Sequence, residues 1–351
     1  MQQRTPDPPA APDTADPQSP RQPCPAPARI REEAARYDAK AEAGRWDGPR
    51  YRMTYRILGQ GPPLFLVPGI ASTYQVYALL LNQLAGRFRT ILYDYPGEHQ
   101  DDGADLTRIT HDHLVDDLFG LIDHLNIGRA YLAGLSFGST VVFKTLRREP
   151  RRFPKAAVQG AFAHRDFTRL ERWALRLGRL FPGTIERLPL RPTILTYNNQ
   201  AEFPAMLQDR WSFYLEQNGQ TPIRSLAHRV TLLTELDLRP VLPEVSTEVL
   251  LIQGNEDRIV GRRNFDFLQA ALPRAEAVIM PAVGHYPHLT HAEALARLIG
   301  DWLLPCAPGG CTDERERSND GANDRSLSPP CEGGARGGGA AASQVEDDHA
   351  F

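Results

Sequence analysis

The chain has 351 residues, with 40 Lys and Arg set against 43 Asp and Glu for a formal net charge of −3, a balance that gives no basis for nucleic-acid binding. No run approaches the ~18 apolar residues of a membrane span, and no basic patch followed by an apolar stretch opens the sequence, so neither a membrane span nor secretion has support. The four cysteines, Cys24, Cys306, Cys311 and Cys331, all fall in the flanks, which excludes a disulfide framework for the core and fits a reducing cytoplasm.

Residues 1–28 are dominated by Pro, Ala, Asp and Gln, and 306–351 by Gly, Ala, Ser, Asp and Arg. Such segments cannot bury enough surface to offset their conformational entropy, and both are expected to be disordered tails. Cys306 and Cys311 have no second ligand pair at metal-binding spacing and are expected to be solvated thiols. The segment 48–304 is of the size of one α/β domain.

Within it, Tyr51 to Ile57 alternates as a strand, and Gly59-Gln60-Gly61-Pro62-Pro63 turns the chain into a buried strand, Leu64 to Val67, that ends at Pro68-Gly69. A helix over Tyr74 to Ala85, a strand over Thr90 to Tyr93, a helix over Leu106 to Leu125, a strand over Ala130 to Ala133, a helix over Phe137 to Arg148 and a strand over Ala156 to Gln159 follow. This alternation predicts a mostly parallel sheet covered on both faces. Residues 163–242 break the pattern with helical periodicity and many aromatics, too long for a loop, and are expected to form a helical cap. The strand Thr247 to Gln253, a helix from Arg262 to Ala271, the strand Ala275 to Met280 and a last helix from His291 to Leu304 complete the sheet.

In the first cap helix Arg165, Arg169, Arg172, Arg176 and Arg179 recur at steps of four and three, while Phe167, Leu170, Trp173, Leu177 and Leu180 keep the same rhythm on another face. The ordinary reading of such an arginine row is a solvated helix face; the alternative is attraction to an anionic substrate or a lipid head group.

Gly134-Leu135-Ser136-Phe137-Gly138 follows a strand and opens a helix, the context of a strained turn that exposes a nucleophilic serine at the sheet's end. Two further strands end in Gly254-Asn255-Glu256-Asp257 and Gly284-His285-Tyr286-Pro287, giving the order serine, acid, histidine, each just past a strand's carboxyl end. A serine hydroxyl needs a base within hydrogen-bond reach, and His285 is the candidate; Asp257 would fix its tautomer and stabilise the imidazolium. Asp257 could instead cap the next helix, with Glu256 adjacent, and Asp166 could supply the acid from the preceding strand end. His288 is expected to line or support the site and His291 to belong to the last helix; neither has companions at metal-ligand spacing. A tetrahedral intermediate needs two N–H donors, which the backbone of Phe137 at the helix start and of Ile70 in the Pro68-Gly69 loop would supply.

These residues resemble the α/β hydrolase superfamily over 48–304. The resemblance implies an eight-stranded, mostly parallel sheet with a helical cap after the sixth strand, no cofactor, a small-molecule substrate and a Ser136, Asp257, His285 triad acting on an ester, lactone or related acyl or carbon–carbon bond. Two departures stand out: Pro68-Gly69 where many relatives carry His-Gly, and Asp94 to Gln100, which keeps only the beginning of a glycine-rich stretch. The loop at Pro68 to Tyr74, Leu92 to Pro96 and Ala227-His228-Arg229-Val230-Thr231-Leu232 also resemble the maspardin branch, which implies the rival expectation of a noncatalytic scaffold with a protein partner on the same fold.

Overall fold

The computed structural model describes residues 29–71, 73–188, 203 and 205–305; the two expected tails lie outside the described residues. Two elements precede the domain start expected near residue 48. Helix α1 (Ile30–Lys40) buries Ile30, Ala34 and Tyr37, one face at steps of four and three, and strand β1 (Glu42–Asp47) pairs antiparallel with β2 (Arg52–Leu58). β1 is an edge strand with no buried position, so it carries no alternation for a sequence reading to detect.

The chain then runs through β3 (Pro63–Val67), α2 (Ala78–Leu84), β4 (Arg89–Tyr93), α3 (His111–His124), β5 (Tyr131–Leu135), α4 (Phe137–Arg148) and β6 (Lys155–Gln159). Between β6 and the next strand come α5 (Arg169–Gly178), α6 (Gln208–Gly219) and α7 (Ile223–Thr234). The chain closes with β7 (Glu248–Gly254), α8 (Arg262–Ala271), β8 (Ala275–Met280), a single turn α9 (Pro287–Thr290) and α10 (Ala292–Leu303). The eight strands form one sheet in the order β1-β2-β4-β3-β5-β6-β7-β8, with every pair from β4 to β8 parallel and only the first two pairs antiparallel.

Two local differences from the sequence reading have physical causes. The helix expected from Leu106 starts at His111, because Asp105 accepts from the backbone and hydroxyl of Thr107 in a competing turn while Thr110 caps His113. The helix expected from Tyr74 opens as a 3₁₀ turn, Tyr74–Tyr77, before α2.

Both faces of the sheet are covered. Along β3, Phe65 and Val67 enter the core under α3 and α4, whereas Leu64 and Leu66 enter the one under α1, α2 and α10. In β7, Val249 and Leu251 likewise oppose Leu250 and Ile252. Strands buried on both sides are the reason these runs are apolar throughout rather than alternating. Parallel register brings the carboxyl ends Val67, Leu135, Gln159, Gly254 and Met280 to one edge.

Candidate active site

At that edge Ser136 turns the chain from β5 into α4 with φ 49° and ψ −114°, a backbone region a residue with a side chain adopts only when its surroundings enforce it. The enforcement is visible in three bonds: Ser136 N–H donates to the Gln159 carbonyl at 2.8 Å, and the Ser136 carbonyl accepts from the N–H of Ser139 at 2.9 Å and its hydroxyl at 2.6 Å. The flanking glycines are required by contact: a Cβ on Gly138 would stand 2.1 Å from the Val67 carbonyl oxygen, and one on Gly134 would meet the Ser139 Cα at 2.9 Å.

The loops after β7 and β8 bring Asp257 and His285 to the same place. His285 Nε2 lies 3.0 Å from Ser136 Oγ, and Nδ1 lies 2.7 Å from Asp257 Oδ2. The other carboxylate oxygen of Asp257 accepts from the N–H groups of Ile259 at 3.0 Å and Val260 at 2.8 Å, so both oxygens are fixed. Both side chains are buried. Gln159 Nε2 donates to the His285 carbonyl at 3.3 Å. Beneath the pair, Gly160 has φ +60°, and a Cβ there would lie 2.9 Å from His285 Cε1.

The other sequence candidates are placed elsewhere. Asp166 is exposed and meets His164 Nε2 at 3.1 Å, and Glu256 is exposed. His288 is buried 5.1 Å from the Tyr77 ring, between centroids, and 6.1 Å from Tyr286; burial pushes its pKa down to about 3, so it stands uncharged behind His285. His291 precedes α10, with Nδ1 2.9 Å from the Thr290 hydroxyl. Among the described residues no group of three or more His, Cys, Asp and Glu could hold a metal ion, and no helix is long and apolar enough to cross a membrane.

The Pro68-Gly69-Ile70 loop faces the elbow, and three consecutive residues in it are pinned by buried side chains that the sequence reading did not single out. Tyr95 donates its hydroxyl to the Pro68 carbonyl at 3.1 Å, Gly69 N–H donates to the Tyr77 hydroxyl at 2.8 Å, and Arg229 Nε donates to the Ile70 carbonyl at 2.6 Å. Burial holds both tyrosine pKa values well above their usual range, so each keeps its proton. Arg229, on α7, also pairs with Glu98 at 2.5 Å; burial raises the Glu98 carboxyl pKa, and Arg229 opposes that rise. With these bonds made, Ile70 N–H has no acceptor among the described residues, and Phe137 N–H is the first amide of α4, outside its hydrogen-bond ladder.

A hydroxyl, an imidazole and a carboxylate joined in series at the carboxyl edge of a mostly parallel α/β sheet define a class, the α/β hydrolases. A family model described as alpha/beta hydrolase fold matches residues 62–292, and the chain belongs to that family and is an enzyme of it. It is 24% identical over 263 residues to a putative carbamate hydrolase RutD of Serratia proteamaculans, covering 72% of this chain and 96% of that protein. It is 26% identical over 258 residues to a pimeloyl-[acyl-carrier protein] methyl ester esterase of Xanthomonas axonopodis pv. citri, covering 69% and 97%. Among solved structures, a hydrolase from Pseudomonas aeruginosa PA01 superposes with a TM-score of 0.65 at 21% identity over 75% of this chain and 98% of that one, a likeness of fold.

Proposed function

We propose that this enzyme is a serine hydrolase acting on a small to medium carboxylic ester, lactone or related acyl substrate, with Ser136 as nucleophile, His285 as general base and acid, and Asp257 as the group that orients and stabilises the imidazolium. The observation that carries the reading is the unbroken relay Ser136 Oγ to His285 Nε2 to Asp257 Oδ2, at 3.0 and 2.7 Å, built on a strained serine. Ser136 Oγ bonds the substrate carbonyl carbon as its proton passes to His285 Nε2; the resulting oxyanion is met by the N–H groups of Phe137 and Ile70. Collapse of the tetrahedral adduct breaks the bond to the leaving alkoxide, which takes the proton from His285, and leaves an acyl group on Ser136. Water then attacks the acyl carbon while His285 removes its proton, and the second adduct expels Ser136 with that proton restored.

The bonds to Pro68, Gly69 and Ile70 support a fixed donor despite the missing His-Gly pair: with carbonyls and one amide already spoken for, the Ile70 amide is the group left to serve an oxyanion. The helices α5 to α7 would act as the cap. Tyr286 neighbours His285 at 5.4 Å between ring centroids, and Tyr214, Trp211 and Phe203 extend that cluster, all four buried in the core under α1, α2 and α10, so they would pack α6 of the cap against the site.

The test is labelling by a fluorophosphonate probe together with turnover of short p-nitrophenyl esters. Wild type should label and turn over, and Ser136→Ala should lose both, kcat falling about a millionfold. Replacing His285 by Ala should cost nearly as much, without adding to the serine effect. An inert wild type with an intact fold would favour the maspardin-like scaffold instead, and a larger loss from Asp166→Asn than from Asp257→Asn would displace Asp257 from its role.

A further inference from the structure

Helix α5 has no buried residue. The apolar row that a sequence reading would pack inward, Leu170, Trp173 and Leu177, with Leu180 and Phe181 continuing past the helix end, stands in solvent with each side chain between 44% and 80% exposed. The helix rests on α7 by a different face: a Cβ on Gly178 would sit 3.2 Å from the Ala227 Cβ, and Leu175 packs against the core. At about 100° per residue, Arg169, Arg172, Arg176 and Arg179 form a second row beside the apolar one. None of these four has a carboxylate partner among the described residues; other exposed arginines such as Arg129, Arg151 and Arg263 also lack one, but these four stand together in one row. Between 163 and 188 six arginines face three carboxylates, in a chain whose formal net charge is −3.

From this we infer that α5 and the turn after it form a docking surface for an anionic lipid bilayer. A short amphipathic helix with Trp, Leu and Phe on one side and arginines alongside lies in the plane of an interface, its apolar side chains below the head groups and its guanidinium groups among the phosphates. The stripe contains no hydrogen-bonding group beyond the indole N–H to set a register with a protein, and a bilayer requires only depth. A second copy docking through the same stripe would bring two rows of guanidinium groups without carboxylate partners together, with no carboxylate row to receive them, so the charge pattern favours a surface of fixed negative charge. This inference stands apart from the catalytic reading, because no residue of the relay takes part in it.

The experiment is flotation of the purified full chain with vesicles of phosphatidylcholine alone or containing phosphatidylglycerol, with Trp173 fluorescence recorded in parallel. Binding is expected only with the anionic lipid, weakening as salt is raised, with a blue shift that Trp173→Phe removes. Replacing Arg169, Arg172 and Arg176 together by Gln should weaken binding by about tenfold or more, and replacing Leu170, Leu177 and Leu180 together by Ser should do the same. All six side chains are exposed, so both variants should keep wild-type circular dichroism and melting temperature. Ser136→Ala should bind as wild type, which separates this outcome from any failure of the hydrolase reading. Equal binding to neutral vesicles, no binding to either, or retention of binding by both triple variants overturns the inference. So does a lipid-free dimer in sedimentation that the Leu→Ser variant converts to monomer, which would assign the stripe to self-association.

Discussion

At Gly160 the backbone itself sets the position of the proposed base. With φ +60° and no side chain, the chain passes directly under His285, and an alanine there would add both left-handed strain and a Cβ 2.9 Å from Cε1 and 3.1 Å from Nδ1 of the imidazole. The strain is worth about 1–2 kcal/mol, which a two-layered core of this size should survive. The displacement is worse for catalysis, since a shift of a few tenths of an ångström lengthens both bonds of the relay at once. Gly160→Ala is therefore expected to fold with a modestly lowered melting temperature and to lose at least about tenfold in kcat, with KM for a p-nitrophenyl ester little changed; a wild-type kcat would show that the imidazole has room to spare. The relay residues were legible in the sequence because each sits behind a glycine at the end of an apolar run, as Gly134, Gly254 and Gly284 mark. Gly160 follows a strand too, yet carries no functional side chain beside it and so gave no signal. Tyr77, Tyr95 and Arg229 were invisible for another reason: their partners are backbone groups of residues 68–70, brought near only by the fold.

Among the elements, α7 is tied to the site loops more firmly than apolar packing alone would require. Ser225 donates to the Gly97 carbonyl, and Arg229 joins the Ile70 carbonyl to the Glu98 carboxylate. A buried ion pair adds little net stability when whole, but removing one partner leaves the other uncompensated, at a cost of about 3–5 kcal/mol. Arg229→Met should accordingly lower the urea midpoint severely at pH 7, and Glu98→Leu added to it should restore much of the loss, a coupling readable from a double-mutant cycle. Equal damage in single and double variants would mean that the Ile70 hydrogen bond, not the ion pair, holds the helix. The strands β3 to β7 were legible because burial on both faces imposes apolar runs, β2 because its side chains alternate, and α4, α8 and α10 because their apolar residues recur at helical spacing. β1 was not, since its anchor is one side chain, Trp46, lying over Gly120 and stacked 5.9 Å from His124, and one anchor makes no pattern. For α5 the periodicity was legible and its environment was not: an apolar row on a helix implies burial only if something is there to bury it.

Over the whole molecule, three histidines far apart in the chain make the fold sensitive to acid. His111 at the start of α3 lies 2.8 Å from the Thr140 hydroxyl of α4, His228 sits within α7, and His288 stands behind the relay. Burial pushes their pKa values down, to about 3, about 4 and about 3. A histidine whose folded pKa lies below its unfolded value of 6.5 binds fewer protons in the folded state, so its neutral form supports the fold above pH 6.5 and that support is lost as the pH falls from there toward 3 or 4. From pH 7 to 5.5 each contributes a loss of about 1 kcal/mol, or roughly 3–4 kcal/mol together, against a total stability of about 5–15 kcal/mol for a typical domain. His99, whose pKa the hydrogen bond to Asp94 raises, opposes the three as a single imidazole, and the buried carboxyls of Glu98 and Asp117 act in the same opposing sense, because burial raises their pKa values and acidification then relieves an unfavourable charge. That relief sets in as the pH falls through their raised folded pKa values and is complete only below the unfolded ones, near 4.5 and 3.8, so between pH 7 and 5.5 it offsets only part of the histidine loss. Urea midpoints should fall steadily across that interval, and His111→Gln, which keeps a group able to bond Thr140, should flatten the decline by about a third. A midpoint unchanged between pH 7 and 5.5 would mean that these imidazoles take up protons where they stand, with water reaching them, and that the two cores are more open to solvent than their packing implies.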